Sequence, residues 1–177
     1  MRLTRQELEE IGEIVRRLCH DYATKGKGEL PTDRVFYGYL RGRFPKAQLR
    51  RQFRQRRIEN GKPSIKKIDF HLGSKSAGTF IELVVRRTGE EWRHGANDSE
   101  LNKLCRIRSP QAQRSLLIID ITKKAPLERD KLKAEYKGWK STRGQFQRNN
   151  VCVSYVGKGI AFSFTLRIKK GRVAVGA

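Results

Sequence analysis

At 177 residues the chain fits one domain, and 37% hydrophobic residues supply enough apolar surface for a core, which excludes a globally disordered polypeptide. Forty Lys and Arg against 18 Asp and Glu give a net charge of +22, a field that a polyanion compensates, so nucleic acid leads the expected partners. The cations are spread over the whole chain, no apolar run reaches the ~20 residues of a bilayer span, and the N-terminus lacks the apolar stretch of a signal peptide. These features predict a soluble, intracellular protein, cytoplasmic or nucleoid-associated, with no membrane partner. Cys19, Cys105 and Cys152 stand far apart without metal-ligand spacing and read as buried reduced thiols.

Residues 4–22 predict an amphipathic helix. Thr4 and Glu7 form a capping box, and Leu8, Ile11, Val15, Leu18, Cys19 and Tyr22 recur at helical spacing. The other face carries Glu9, Glu10 and Glu13. After a Gly- and Pro-containing loop, Thr32 or Asp33 caps a short helix with Val35, Phe36, Tyr39 and Leu40 inward, ending by Pro45.

Arg50, Arg51, Arg54, Arg56 and Arg57 crowd the next stretch, and Asn60-Gly61 behind it is a hairpin signal. Residues 48–58 are therefore predicted as a strand pairing with 64–72, and 79–87 as the third member of an antiparallel meander. In the first strand Leu49 and Phe53 turn inward, while Arg50, Arg54 and Arg56 share the face of Gln48 and Gln52. Such cations fit backbone contact, with steep salt dependence. Alternation in 66–87 puts Lys67, Asp69 and His71 opposite Ile68, Phe70 and Leu72, and Glu82, Val84 and Arg86 opposite Ile81, Leu83 and Val85. Two acids on neighbouring strands of so basic a chain suggest a metal site that works on phosphates. His71 shares the Asp69 face and reads as an ordinary or supporting histidine.

A polar loop spans Gly89 to Ala96 and includes Trp92 and His94. Asn97 to Glu100 offer caps for a helix with Leu101, Leu104 and Cys105 on one side and Glu100 and Lys103 on another, closed by Ser109-Pro110. Residues 115–122 are apolar on both faces apart from Asp120 and predict a covered central strand. Asp120 is a further acid near the site or a strand-end residue. Pro126 opens a helix with Leu127, Leu132, Tyr136 and Trp139 as apolar contacts. A basic loop follows, then strands 151–156 and 160–168 about the Gly157-Lys158-Gly159 turn, with a frayed tail.

This order of helix, acid-bearing meander, helix and apolar strand resembles the restriction-endonuclease-like superfamily with its PD-(D/E)xK motif. Asp69 in IDFHL and Glu82 in IELVV carry the resemblance, which covers about residues 48–122. It implies an α/β fold with a mixed central sheet flanked by helices, in one domain over 1–177. Residues 4–44 then give helical support to the nuclease-like core, and a helix plus two strands complete 126–168.

The activity implied is metal-dependent hydrolysis of DNA phosphodiesters by an endonuclease. Mg2+, or Mn2+ in its place, is then held by Asp69 and Glu82. Val84 stands where the family places its lysine, and Lys103 is the migrated candidate, ahead of Arg86 and Lys75. A guanidinium stays charged and can clamp a phosphate without acting as a base. A hard cation takes oxygen ligands, so a third acid from Glu9, Glu10 or Glu13 would strengthen the site. Arg50, Arg54, Arg56, Arg86 and Arg87 are the expected nucleic-acid contacts, with DNA ahead of RNA, and a homodimer would let two sites address two strands. The alternative is a non-catalytic DNA- or RNA-binding protein on a degenerate nuclease fold, or an RNA-binding, ribosome-associated one.

Overall fold

A computed structural model describes residues 2–24, 32–45, 48–59, 62–74, 77–86, 94–107, 109–122, 124–137, 139, 149–169 and 172–176, with side chains 22–24, 55–59, 62–66, 94–98 and 149 outside that description. The capping box forms as its spacing predicts. The Thr4 amide donates to the Glu7 carboxylate at 2.7 Å, and the Glu7 amide donates to the Thr4 hydroxyl at 3.1 Å. Helix α1 (Arg5–Thr24) buries Leu8, Ile11, Val15 and Cys19 along one stripe, whereas Leu18 is exposed. Leu18 falls outside the stripe because one residue of helix turns a side chain by about 100° away from Cys19. Gly12 lets the helix lie close on the sheet, since a Cβ there would meet Val156 Cγ2 at 2.8 Å. Helix α2 (Thr32–Arg43) buries Thr32, Phe36 and Leu40 and packs on α1.

Seven strands follow one another across a single mixed sheet: β1 (Leu49–Glu59), β2 (Lys62–Leu72), β3 (Thr79–Arg86), β4 (Gln113–Asp120), β5 (Asn149–Gly157), β6 (Ile160–Lys169) and β7 (Arg172–Val175). β1, β2 and β3 are the predicted antiparallel meander, and β4 lies parallel to both β3 and β5. Parallel neighbours need a crossover, which α3 (His94–Cys105) and α4 (Arg129–Lys137) supply. The fold is therefore α/β with a mixed sheet flanked by helices.

The two faces of the sheet carry separate cores. Leu8, Ile11, Val15, Phe36, Phe70, Ile81 and Leu117 pack on the α1–α2 side. Phe80, Leu101, Leu104, Leu116, Leu132, Tyr136 and Phe164 pack on the α3–α4 side. β4 is buried on both, with Leu116 and Ile118 in one core and Leu117 and Ile119 in the other, as a covered central strand requires.

Three boundaries differ from expectation. α3 begins at His94, inside the predicted loop, because packing of its later turns overrides the weak helix propensity of Gly95, Asn97 and Asp98. α4 begins three residues after Pro126, since the Leu127 amide is drawn to the Tyr155 hydroxyl at 2.9 Å. The tail is not frayed through 172–175 but forms β7 against β6, where Val173 and Val175 reach the core. The Asn60-Gly61 turn and Trp92 lie outside the described residues, although β1 and β2 pair as far as Glu59 and Lys62. No described helix is long and apolar enough to cross a membrane.

Candidate active site

β2 and β3 pair through Phe70 and Ile81, His71 and Phe80, and Leu72 and Thr79. Beyond these pairs Asp69 takes over the role of a ladder partner: its Oδ2 accepts from the Leu83 amide at 3.0 Å. Its Oδ1 lies 3.4 Å from the Gln52 Nε2 donor, and Gln52 itself sits at φ 55°. A left-handed non-glycine residue costs roughly 1–2 kcal/mol. It also breaks the alternation of β1. Leu49 packs on the α1–α2 side and Phe53 on the α3–α4 side, although both were expected on one face.

The same switch occurs across Asp69. Ile68 belongs to the α3–α4 core, and Phe70 and Leu72 to the other. The expected grouping of Ile68 with Phe70 and Leu72 is thus corrected: β2 changes face at Asp69, between the Phe53–Ile68 and Arg51–Phe70 pairs that also flank Gln52.

Glu82 projects from β3 toward α3 and is 0% exposed. Its Oε2 accepts from Lys103 Nζ at 3.1 Å, and its Oε1 has no partner among the described residues. Lys103 also donates to Glu100, one turn earlier on α3. Asp69, Glu82 and Glu100 each bring a carboxylate oxygen within 4.8 Å of the other two.

Glu100, expected on the Lys103 side of the helix, is the residue that sequence reasoning did not assign to the site. The signal was its spacing, because residues three apart on a helix are neighbours. The helix α1 acids expected to complete the site are engaged elsewhere. Glu9 accepts from the Ser163 hydroxyl, Glu10 from Gln6, and Glu13 from Arg16 and Arg17.

Of the acids gathered around the ammonium, Glu82 and Asp69 have a raised proton affinity. The Glu82 carboxyl is pushed far up, first by burial, then by the neighbouring Glu100 carboxyl and the charge of Asp69. Burial also raises Asp69, opposed by the Leu83 amide and Lys103. For Lys103 burial works downward, but the bonds and charges of Glu100 and Glu82 outweigh it and hold the ammonium above its ordinary value. Lys103 balances one carboxylate, burial favours a proton on Glu82, and one negative charge of the cluster is left over. A buried acid with an unpartnered oxygen, two more carboxylates in reach and only oxygen donors suits a hard divalent cation.

The other expected residues separate. Arg50 and Arg54 are exposed on β1, with the Arg50 guanidinium 6.0 Å from the Phe53 ring centre. The Arg56 side chain, Arg87 and Lys75 lie outside the described residues. Arg86 is turned away from the surface expected of a nucleic-acid contact. It donates to Asp120 Oδ2 at 2.6 Å and its side chain is 10% exposed.

The cause is register, since Arg86 and Asp120 are direct partners across β3 and β4. Asp120 also accepts from the Tyr155 hydroxyl at 2.6 Å and from the Thr122 amide and hydroxyl, so it forms a polar knot of its own. His71 is buried between Phe53 and Phe80, its Nε2 3.0 Å from the Ser74 carbonyl, and burial lowers its pKa. It packs as part of the aromatic cluster with Phe53 and Phe80. Val84 is partly buried against the α3–α4 core. No protein-family model, characterised protein or solved structure matches the chain.

Proposed function

We propose that the chain is a metal-dependent nuclease of the restriction-endonuclease-like kind, hydrolysing DNA phosphodiester bonds at Asp69, Glu82, Glu100 and Lys103. The observation that carries this reading is the 3.1 Å contact between Lys103 Nζ and Glu82 Oε2. It brings a lysine from α3 to the acid whose own strand has Val84 in the motif position. Asp69, Glu82 and Glu100 would hold the cation, Mg2+ or Mn2+. When bound, such an ion polarises a phosphoryl oxygen and makes its coordinated water acidic.

The chain's own groups do the rest. The Leu83 amide fixes the orientation of Asp69, so that its free lone pairs face the cluster. With a cation held at Glu82, the Lys103 ammonium would be free to donate to a non-bridging phosphate oxygen and to stabilise charge developing there. Glu100, one turn away, keeps that ammonium within the cluster. Arg50 and Arg54, exposed on the neighbouring strand, offer the backbone contacts that position a substrate without reading its sequence.

The second reading is a non-catalytic nucleic-acid-binding protein on a degenerate nuclease fold. Val84 favours it, as does the pairing of Lys103 with two acids at once, in which an ammonium takes the place of a metal. Nicking of supercoiled DNA in Mg2+ or Mn2+ separates the two. Wild type is expected to nick, and Asp69→Asn, Glu82→Gln and Lys103→Met to fall by about 100-fold or more. Absence of cleavage, or equal cleavage by all four proteins, overturns the nuclease and leaves the binding protein.

A further inference from the structure

The start of β4, the start of β5 and the end of β6 open, together with β7 and the segment before α1, into a cleft of about 1240 Å³. Six cations line it, Arg2, Arg5, Arg114, Arg167, Lys169 and Arg172, and no carboxylate or aromatic side chain does so among the described residues. The cleft is built rather than incidental. Arg2 donates to the Gln111 carbonyl at 3.0 Å, and Arg5 to the Thr165 hydroxyl. Arg114, 5% exposed, donates to the carbonyls of Ile107, Ser109 and Ala112 at 2.6, 2.7 and 2.9 Å. Its partners are therefore neutral, and its charge adds to the field of the cleft.

Six like charges around one concavity repel, so an anion in the cleft stabilises it. The volume exceeds the roughly 300–1,000 Å³ that takes a drug-sized molecule, and a lone phosphate would leave most of it empty. The described lining residues offer no aromatic platform on which bases could stack; what they present is charge for phosphates, a contact indifferent to sequence. The cleft borders the strand that carries Glu82. Its lining residue Gln113 pairs with Thr79, three residues along β3 from Glu82, which is about 10 Å at ~3.3 Å per residue.

We propose that this cleft is a second nucleic-acid site, which binds the sugar–phosphate backbone of the strand running past the acid cluster and takes no part in bond cleavage. The identity of that strand rests on the nuclease reading; the binding itself does not.

The test is fluorescence anisotropy of a labelled thymidine 20-mer in EDTA, titrated with wild type, with Arg167→Glu/Arg172→Glu, and with the control Lys131→Glu/Lys158→Glu. All four positions are exposed, and both pairs change the net charge equally. Thermal unfolding checks that each variant folds. The cleft pair is expected to weaken binding at least ~10-fold at 0.15 M salt. Loss of two contacts at ~0.7 each should lower the logarithmic salt slope by about 1.4. The control is expected to stay within about threefold of wild type.

Equal weakening by both pairs overturns the inference, because net charge alone then explains it; so does unchanged binding by the cleft pair. Displacement of the oligonucleotide by millimolar inorganic phosphate would mark a small-anion site and also overturn it. Cleavage is scored separately. Nicking with unimpaired binding by the cleft pair sinks the cleft and spares the nuclease, whereas impaired binding without nicking by wild type does the reverse.

Discussion

Replacing Glu82 by Gln should stabilise the metal-free protein, an uncommon outcome for a substitution in a fully buried position. The folded chain holds the Glu82 proton well above the ordinary carboxyl value of 4.5, whereas the unfolded chain releases it above about that pH. The native state then binds more protons, so stability falls as pH rises from the unfolded pKa toward the folded one. At pH 7 the gap is 7 − 4.5 = 2.5 units, and at about 1.4 kcal/mol per unit the penalty is about 3 kcal/mol. This ceiling is reached whenever the folded pKa lies above 7, however far above. Gln keeps the shape, accepts from Lys103 and never ionises. In EDTA at pH 7 Glu82→Gln should therefore gain about 2–3 kcal/mol, a rise of roughly 5–10 °C in Tm for a chain of this size.

The pH dependence gives the sharper check. At pH 5 only 0.5 unit separates solution from the unfolded value of 4.5, and the advantage should shrink below about 1 kcal/mol. Divalent metal should cancel most of that advantage at pH 7. At about 100-fold excess over Kd it stabilises wild type by about 2.7 kcal/mol and leaves the variant unmoved. Thermal unfolding at both pH values, with EDTA or Mn2+, measures all of this. A variant less stable than wild type at pH 7 in EDTA, or an advantage of the same size at pH 5, refutes the reasoning.

Lys103→Met removes the ammonium from among three carboxyls. It should lower metal-free stability at pH 8 by about 3 kcal/mol in urea unfolding, the scale of breaking a buried pair, and the loss should be smaller at pH 5, where the acids take up protons. Asp120→Asn leaves Arg86 without its carboxylate partner and should also cost about 3 kcal/mol, while Mn2+ affinity measured by calorimetry stays within about twofold of wild type because the Asp120 knot is separate from the cluster. Arg50→Ala and Arg54→Ala should each reduce the salt slope of duplex binding by about 0.9 with Tm unchanged, as anisotropy titrations over 50–300 mM salt would show.

Much of the fold is written locally. The α1 stripe and its capping box depend on residues three and four apart, and β4 announces its place by being apolar on both faces. The pairing of β1 with β2 was signalled in the sequence by Asn60-Gly61. What escaped depends on tertiary neighbours. Alternation cannot register the positive φ of Gln52, whose effect is to send Leu49 and Phe53 to opposite cores.

Arg86 was assigned to a surface because its partner Asp120 is 34 residues away and meets it only through the β3–β4 register. The candidate site was half legible. Asp69, Glu82 and Lys103 come together as their types and order suggested. Glu100 was placed beside Lys103 but left out of the site, because the polar Asn97–Glu100 run imitates the start of a helix that in fact begins at His94.

The most direct measurement of the central claim is anomalous diffraction from crystals grown with Mn2+. The account predicts a peak bonded to Asp69 and Glu82 oxygens at about 2.0–2.2 Å, with Glu100 in the same shell of ligands or bridged by water, and with Lys103 Nζ moved off Glu82. A peak elsewhere on the protein, or a cluster without one in which Lys103 still bridges Glu82 and Glu100, would contradict it.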